Sequence, residues 1–392
     1  MGRFWFGTWV LLLTACGDDS YAPTAANCLD YESITPAYAV VETGQTGCWD
    51  QTGAVISCPA SGNDYGQDSQ YSGKAPSFTF CASNAVVVDN NTNLMWQAGH
   101  NARASYSDAL AACSALELGG FSDWRLPNIK ELFTISNFSG SYKPTDDTTS
   151  APSDPYIFDD YFSIQYDTGG SLTGTHTVQL MGQTWSSTVR PDDSTHNYFF
   201  NFLDGHLKSA PNNNSSHTQF YRCTRGTAIA TTKSYTNNGD GSVTDNVTGL
   251  MWQRANAIQS GSDYQFEWRE ALAYCEALSL AGKTDWRLPN IKELQSLVDY
   301  SNATNAIDTT VFTNTITAST GPFYWSSTSD EFKPEFANYV CFGPCYNTSY
   351  ADVHGPGAQR SEHKYNTGSL PTSLGDQNDL VQANNYVRCV RN

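Results

Sequence analysis

The nine residues Trp-Arg-Leu-Pro-Asn-Ile-Lys-Glu-Leu occur twice without change, at Trp124–Leu132 and at Trp286–Leu294. The same landmarks surround each copy in the same order. Asp89-Asn90 and Leu94-Met95-Trp96-Gln97 match Asp245-Asn246 and Leu250-Met251-Trp252-Gln253. Trp185-Ser186-Ser187-Thr188 matches Trp325-Ser326-Ser327-Thr328, and Arg222-Cys223-Thr224-Arg225 matches Arg388-Cys389-Val390-Arg391. A repeat of this length, roughly 140–165 residues apart, is a duplicated globular unit rather than a stacked solenoid. Each copy is therefore expected to carry its own core.

The expected layout is a signal peptide over 1–15, a cysteine-containing tether and preamble over 16–80, a first domain over 81–229 and a second over 230–392. Arg3 supplies a positive end, and Phe4 to Leu13 an apolar run too short to span a bilayer. Leu13-Thr14-Ala15-Cys16 resembles a lipobox, which predicts a lipid on Cys16. Gly17, rather than Asp, follows the Cys. The expected location is therefore the bacterial outer membrane, lipid-anchored and facing the periplasm or the cell surface.

With Cys16 set aside, ten of the 11 cysteines remain, an even number that suits an oxidising compartment. Cys48 and Cys58 are close enough to close a small loop, which leaves Cys28 to Cys81, although four cysteines allow three connectivities. Cys113 and Cys223 hold the same places in repeat 1 as Cys275 and Cys389 in repeat 2. The economical reading is one disulfide per repeat, from the first helix to the last strand. Cys341 and Cys345 flank Gly343-Pro344 and suggest a local clip. The net charge of −18 and the absence of a basic run argue against nucleic acid as a partner.

Each repeat reads as a short strand, a helix, the nonapeptide with a second helix, a long irregular stretch and a β region. Ser105 precedes the first helix with Asp108 three residues on, and Leu110, Cys113 and Leu116 mark its face before Gly119-Gly120 stops it. Trp268, Leu272, Cys275 and Leu278 form the matching stripe. In the nonapeptide, Asn128 with Glu131 and Asn290 with Glu293 form Asn-capped variants of the capping box. The irregular stretches run over 139–183 and 301–323; loops this long are usually functional. Asn197 to Phe202, a turn at Asp204-Gly205 and His206 to Lys208 read as a hairpin. Asn338 to Cys341, Gly343-Pro344 and Cys345-Tyr346 read as its counterpart.

This order of motifs resembles the Lcl C-terminal domain family, named for a collagen-like bacterial adhesin. Repeat 2 matches over about Thr236–Arg391. Repeat 1 departs from the family pattern at Asn93, where Gly is usual, and at Thr224, where Val is usual. Thr43 to Thr46 and Gly66 to Tyr71 are similar to the family's preamble. The resemblance implies an α+β fold: two tandem C-type-lectin-like domains, each with two helices, a long loop region and a small antiparallel sheet. It says little about function.

For the nonapeptide the structural reading is preferred: Trp in the core, Arg paired with a carboxylate, Asn and Glu capping. Asn238 to Asp245 superficially resembles an acidic calcium loop but lacks the closing Glu, so a turn is expected. Asp146, Asp147, Asp154, Asp159 and Asp160 crowd the long loop of repeat 1, where calcium is a candidate ligand. Tyr156 and Tyr161 join them as candidate contacts for a sugar or protein. No other cofactor is implied. The histidines are scattered and no Ser or Cys stands in a nucleophile context, so no enzyme is expected. The expected function is a surface-anchored binding module in adhesion or envelope interaction. The alternative is an assembly lipoprotein without a small ligand, and the outsider is an enzyme of the formylglycine-generating type built on Cys341 and Cys345.

Overall fold

The computed structural model describes residues 28–31, 40–141, 154–164, 182–229, 233–259, 262–317, 321–371, 373–374 and 378–392. Repeat 1 contains β1 (Phe78–Cys81), β2 (Val86–Asp89), β3 (Met95–Gln97), β4 (Asn101–Ala104), α1 (Tyr106–Ser114) and α2 (Ile129–Thr134). It continues with β5 (Gln183–Val189), β6 (His196–Asn201), β7 (His206–Pro211), β8 (Gln219–Tyr221) and β9 (Thr224–Arg225). Repeat 2 contains β10 (Tyr235–Asn237), β11 (Ser242–Asp245), β12 (Met251–Gln253), α3 (Trp268–Glu276) and α4 (Ile291–Ser296). It ends with β13 (Phe323–Ser329), β14 (Phe336–Cys341), β15 (Gln359–His363) and β16 (Val390–Arg391).

The principal sheet has eight strands in the order β13-β14-β15-β7-β6-β5-β8-β4. Its middle is a palindrome. Equivalent strands β7 and β15 meet antiparallel, with Gln359 opposite Leu207, and the two hairpins run outward from that seam. This is an isologous, two-fold arrangement made within one chain. The nonapeptide helices repeat it. Lys130 Nζ donates to the Ser296 carbonyl at 3.1 Å, and Lys292 Nζ donates to the Thr134 carbonyl at 3.3 Å. Thr134 and Ser296 are the last residues of α2 and α4, so each repeat's lysine caps the other's helix, where last-turn carbonyls and the helix dipole favour a cation. Burial pulls both amines down, Lys130 to about 8 and Lys292 to about 7.

These features overturn the α+β, C-type-lectin-like expectation. The described α-helices have only nine, six, nine and six residues, and the body is mostly β. Nor does each copy keep a separate core. Leu132, Phe133 and Phe200 of repeat 1 belong to one buried cluster with Leu294, Val298 and Val340 of repeat 2. A smaller cluster around Cys113, Trp124, Trp185 and Cys223 lies in repeat 1. Sequence periodicity identifies which face of a strand is apolar but not which edge it pairs with.

Local chemistry follows the residues closely. Asn128 and Asn290 accept from the Glu131 and Glu293 amides at 2.9 Å, and each Glu accepts in return from the capping residue's N–H. On α1, Cys113 is buried and Leu116 packs on the core as expected, but Leu110 is 37% exposed and Ala109 takes its place. Asn93 sits at φ +58 where Gly249 sits at φ +78. Asn tolerates the left-handed region better than most residues, which accounts for that departure from the family pattern. Thr224, the other departure, donates its hydroxyl to the Met95 carbonyl at 2.9 Å. Asp240 accepts from the Ser242 amide and hydroxyl, forming the expected turn. The hairpin of repeat 2 differs from its expected form: the returning strand is β15, and residues 342–358 stand between it and β14.

Five disulfides close the chain: Cys28–Cys81, Cys48–Cys58, Cys113–Cys223, Cys275–Cys389 and Cys341–Cys345. The preamble is a strap across both repeats. The Thr43 carbonyl accepts from Phe138 N in repeat 1, while the Gln45 side chain makes two bonds with the Ser329 backbone in repeat 2. No described helix is long and apolar enough to cross a membrane.

Candidate functional site

The nonapeptide serves the framework. Arg125 and Glu131 form a two-pronged ion pair at 2.6 and 2.7 Å, and Arg287 and Glu293 form another at 2.6 Å for both contacts. Trp124 and Trp286 are buried and donate to the carbonyls of Leu118 and Leu280. The Trp-Ser-Ser-Thr strands are stitched to the same helices. Thr188 and Thr328 hydroxyls accept from the first helical amides, those of Ile129 and Ile291.

The two ion pairs are covered differently. In repeat 1 the chain leaving β9 lies over the pair: Ile229 N donates to Glu131 at 2.9 Å, and Arg125 donates to the Gly226 carbonyl. In repeat 2 Asn392, which follows β16, accepts from Arg287 at 2.8 Å, and the preamble supplies the rest of the cover. The Tyr71 ring lies 5.3 Å from the Arg287 guanidinium, and its hydroxyl donates to Glu276. Asp68, 6% exposed, accepts from Thr43 at 2.8 Å and Thr328 at 2.5 Å. Burial pushes Asp68 up to about 6 against those two hydroxyls, with the Glu293 charge adding to the rise. Asp68, Tyr71, Asn290 and Glu293 line a pocket there that is too small for a sugar.

A second constellation crosses the seam. Asp204 Oδ1 lies 3.5 Å from His206 Nδ1, and His206 Nε2 lies 2.9 Å from Ser361 Oγ. No motif in the chain hints at this, because Ser361 is brought to His206 by the β7–β15 pairing. The connectivity is that of a Ser-His-Asp triad. Its electrostatics are not. Ser361 Oγ donates to Asp330 Oδ2 at 3.0 Å, so its proton is directed away from His206 and deprotonation would set an alkoxide against a carboxylate. Burial, with Arg360 nearby, lowers the His206 pKa, and Lys208 meets Asp204 at 2.5 Å. The group acts as a polar lock between the repeats. Beside it, buried Asp379 bridges His354 at 2.6 Å and Arg360, and burial pulls His354 down to about 4.

Of the acidic-loop candidates, Asp146 and Asp147 lie outside the described residues, as does Cys16. Asp154, Asp159 and Asp160 are exposed. Tyr156 is a correction: it is 2% exposed, packed under Gly140 and Gly205, and its hydroxyl donates to Asp330 at 3.0 Å. A phenol so placed offers no face to a ligand. Tyr161 is half-buried and packs on Phe78 and Phe80. The described rings of this loop pack in or against the core, as large apolar surfaces do when burial is open to them. Among the described residues no group of three His, Cys, Asp or Glu side chains is arranged to hold a metal ion.

One aromatic pair does reach solvent, in the segment between β14 and β15. Tyr350 is 57% exposed and Tyr346 lies 6.2 Å from it, centroid to centroid. Sequence reasoning passes over both because it takes Cys345-Tyr346 as a returning strand.

A search of curated proteins finds no match to the chain. The family model described as Lcl C-terminal domain matches residues 85–225 and 241–391, which are the two structural repeats. The chain belongs to the Lcl C-terminal domain family and carries two copies of that domain in tandem.

Proposed function

We propose that the chain is a rigid binding module, held at the bacterial outer membrane by a lipid on Cys16, that recognises a glycan or a protein partner. One observation carries this reading. The repeats share the nonapeptide caps and the disulfide from first helix to last strand, and they differ in surface connection, chiefly residues 342–358 with their own disulfide. A braced scaffold with divergent loops is how proteins commonly build recognition surfaces. Binding is favoured over catalysis because the buried charged groups at the seam are committed to one another. Cys341 and Cys345, the basis for an enzyme reading, are 0% and 1% exposed and joined to each other.

A second reading, an assembly lipoprotein without a small ligand, is favoured by the palindromic seam, since the repeats pack as a pseudo-dimer. That seam, however, uses its apolar surface within the chain.

The test is an array of glycans, polysaccharides and envelope proteins probed with the chain from residue 17 onward, with calcium and with chelator. A calcium-dependent signal lost in Asp146→Asn, Asp147→Asn or Asp154→Asn assigns the ligand to the acidic loop. A calcium-independent signal keeps the binding module and removes that loop from it. Silence in both conditions favours assembly. Loss of palmitate labelling in Cys16→Ser tests the anchor.

A further inference from the structure

The segment between β14 and β15 is braced on every side. Cys341–Cys345 closes its root. The Asp352 carboxylate accepts from the Cys345 amide at 2.9 Å and the Gly355 amide at 2.8 Å, and it meets Arg190 of repeat 1 at 3.3 Å. Tyr198, also of repeat 1, donates its hydroxyl to the Pro356 carbonyl. Nearer the tip, Asn347 Oδ1 accepts from the amides of Ser349 and Ala351 at 2.9 and 3.0 Å. Thr348 N donates to the Asn378 carbonyl at 2.8 Å. Because the loop is already shaped, little ordering cost remains to be met on binding.

This brace presents Tyr350. Its backbone lies at φ +57, a region that costs a non-glycine residue roughly 1–2 kcal/mol, and its ring is exposed, so burial does not offset the strain. Tyr346 stands beside it with the ring planes at 71°. Thr348 and Ser349, between the two tyrosines in sequence, and Asn378, joined to Thr348 through the backbone, are all exposed and bring hydroxyl and amide groups to the same tip. Aromatic rings flanked by short polar side chains suit a pyranose, whose C–H face packs on a ring while its hydroxyls meet the polar groups. The net charge of −18 disfavours an anionic sugar.

We propose that Tyr346 and Tyr350 form a binding site for a neutral saccharide, specific to repeat 2. This rests on the binding-module reading and gives it a place. The test is calorimetric titration of the soluble, disulfide-bonded chain with cellohexaose, chitohexaose, mannohexaose and xylohexaose, with a heparin oligosaccharide as the anionic control. Tyr350→Gly is the informative variant, because glycine adopts the left-handed backbone without strain and the fold is kept while the ring is lost. The expected result is binding of at least one neutral hexaose, weakened about tenfold or more by Tyr350→Gly and changed little by Tyr350→Phe. Tyr264→Ala, at an exposed tyrosine elsewhere, should bind as the parent does. Unchanged binding by Tyr350→Gly overturns the site and leaves the binding module standing. Binding of heparin alone overturns the neutral class. Silence toward every saccharide overturns the site and leaves the binding module with a protein partner only.

Discussion

The two repeats solve the same folding problem with the same residues and then close it differently. Repeat 1 joins β6 to β7 through residues 202–205, and its ion pair is covered by the chain that leaves it. Repeat 2 places residues 342–358 in the equivalent connection, and the preamble, from the far end of the sequence, joins Asn392 in covering its ion pair. The shared motif thus specifies a framework, and individuality enters at the connections and covers.

The largest expected effect separates framework from insertion. Replacing Cys113 and Cys223 together by Ser should cost about 5 kcal/mol on the chain-entropy model, because the closed loop is long. Replacing Cys341 and Cys345 together should cost about 2 kcal/mol, because theirs is short. Urea unfolding of the two variants measures the difference, and equal costs would remove the distinction. Next come the ion pairs. Glu293→Gln removes the charge that meets Arg287, whose side chain is 7% exposed, and should cost about 3–5 kcal/mol. Glu131→Gln leaves Arg125, 30% exposed, able to hydrate, and should cost about 1–3 kcal/mol. The reverse order in denaturant midpoints would show that the covers, not the burial of the arginines, set the cost.

Asp68 sharpens the comparison through pH. Its folded pKa is raised from 3.8 to about 6, so the folded state holds the proton more tightly than the unfolded state. Its contribution to stability is therefore full below about 3.8 and lost as pH rises to about 6. Asp68→Asn should flatten that part of the stability profile by on the order of 2–3 kcal/mol. A profile unchanged by the substitution would mean that Asp68 titrates alike in the folded and unfolded states. The smallest effect tests the left-handed pair. Gly249→Asn installs the residue of repeat 1 in open space and should cost about 0.5–1 kcal/mol. Asn93→Gly should change thermal stability little.

Much of this framework was legible in the residues. Asn128 and Asn290 announced their caps because the bonds are local, and the hairpin over 196–208 followed from alternation and an Asp-Gly turn. The palindromic seam was not legible. Pairing β7 with β15 joins segments about 150 residues apart, and nothing in His206 to Pro211 names its neighbour. The candidate site was less legible still. Tyr156 and Tyr350 are the same residue type in irregular segments, and only tertiary packing buries one and exposes the other.

The Cys28–Cys81 bridge has a mechanical consequence. A pull on the chain ahead of Cys28 enters the covalent link and passes directly into β1, where Cys81 lies. Residues 29–80, including the strap over the seam, lie outside that covalent path. The clasp that joins the repeats can therefore stay fastened under drag, with the load delivered to the edge strand of a sheet in repeat 1.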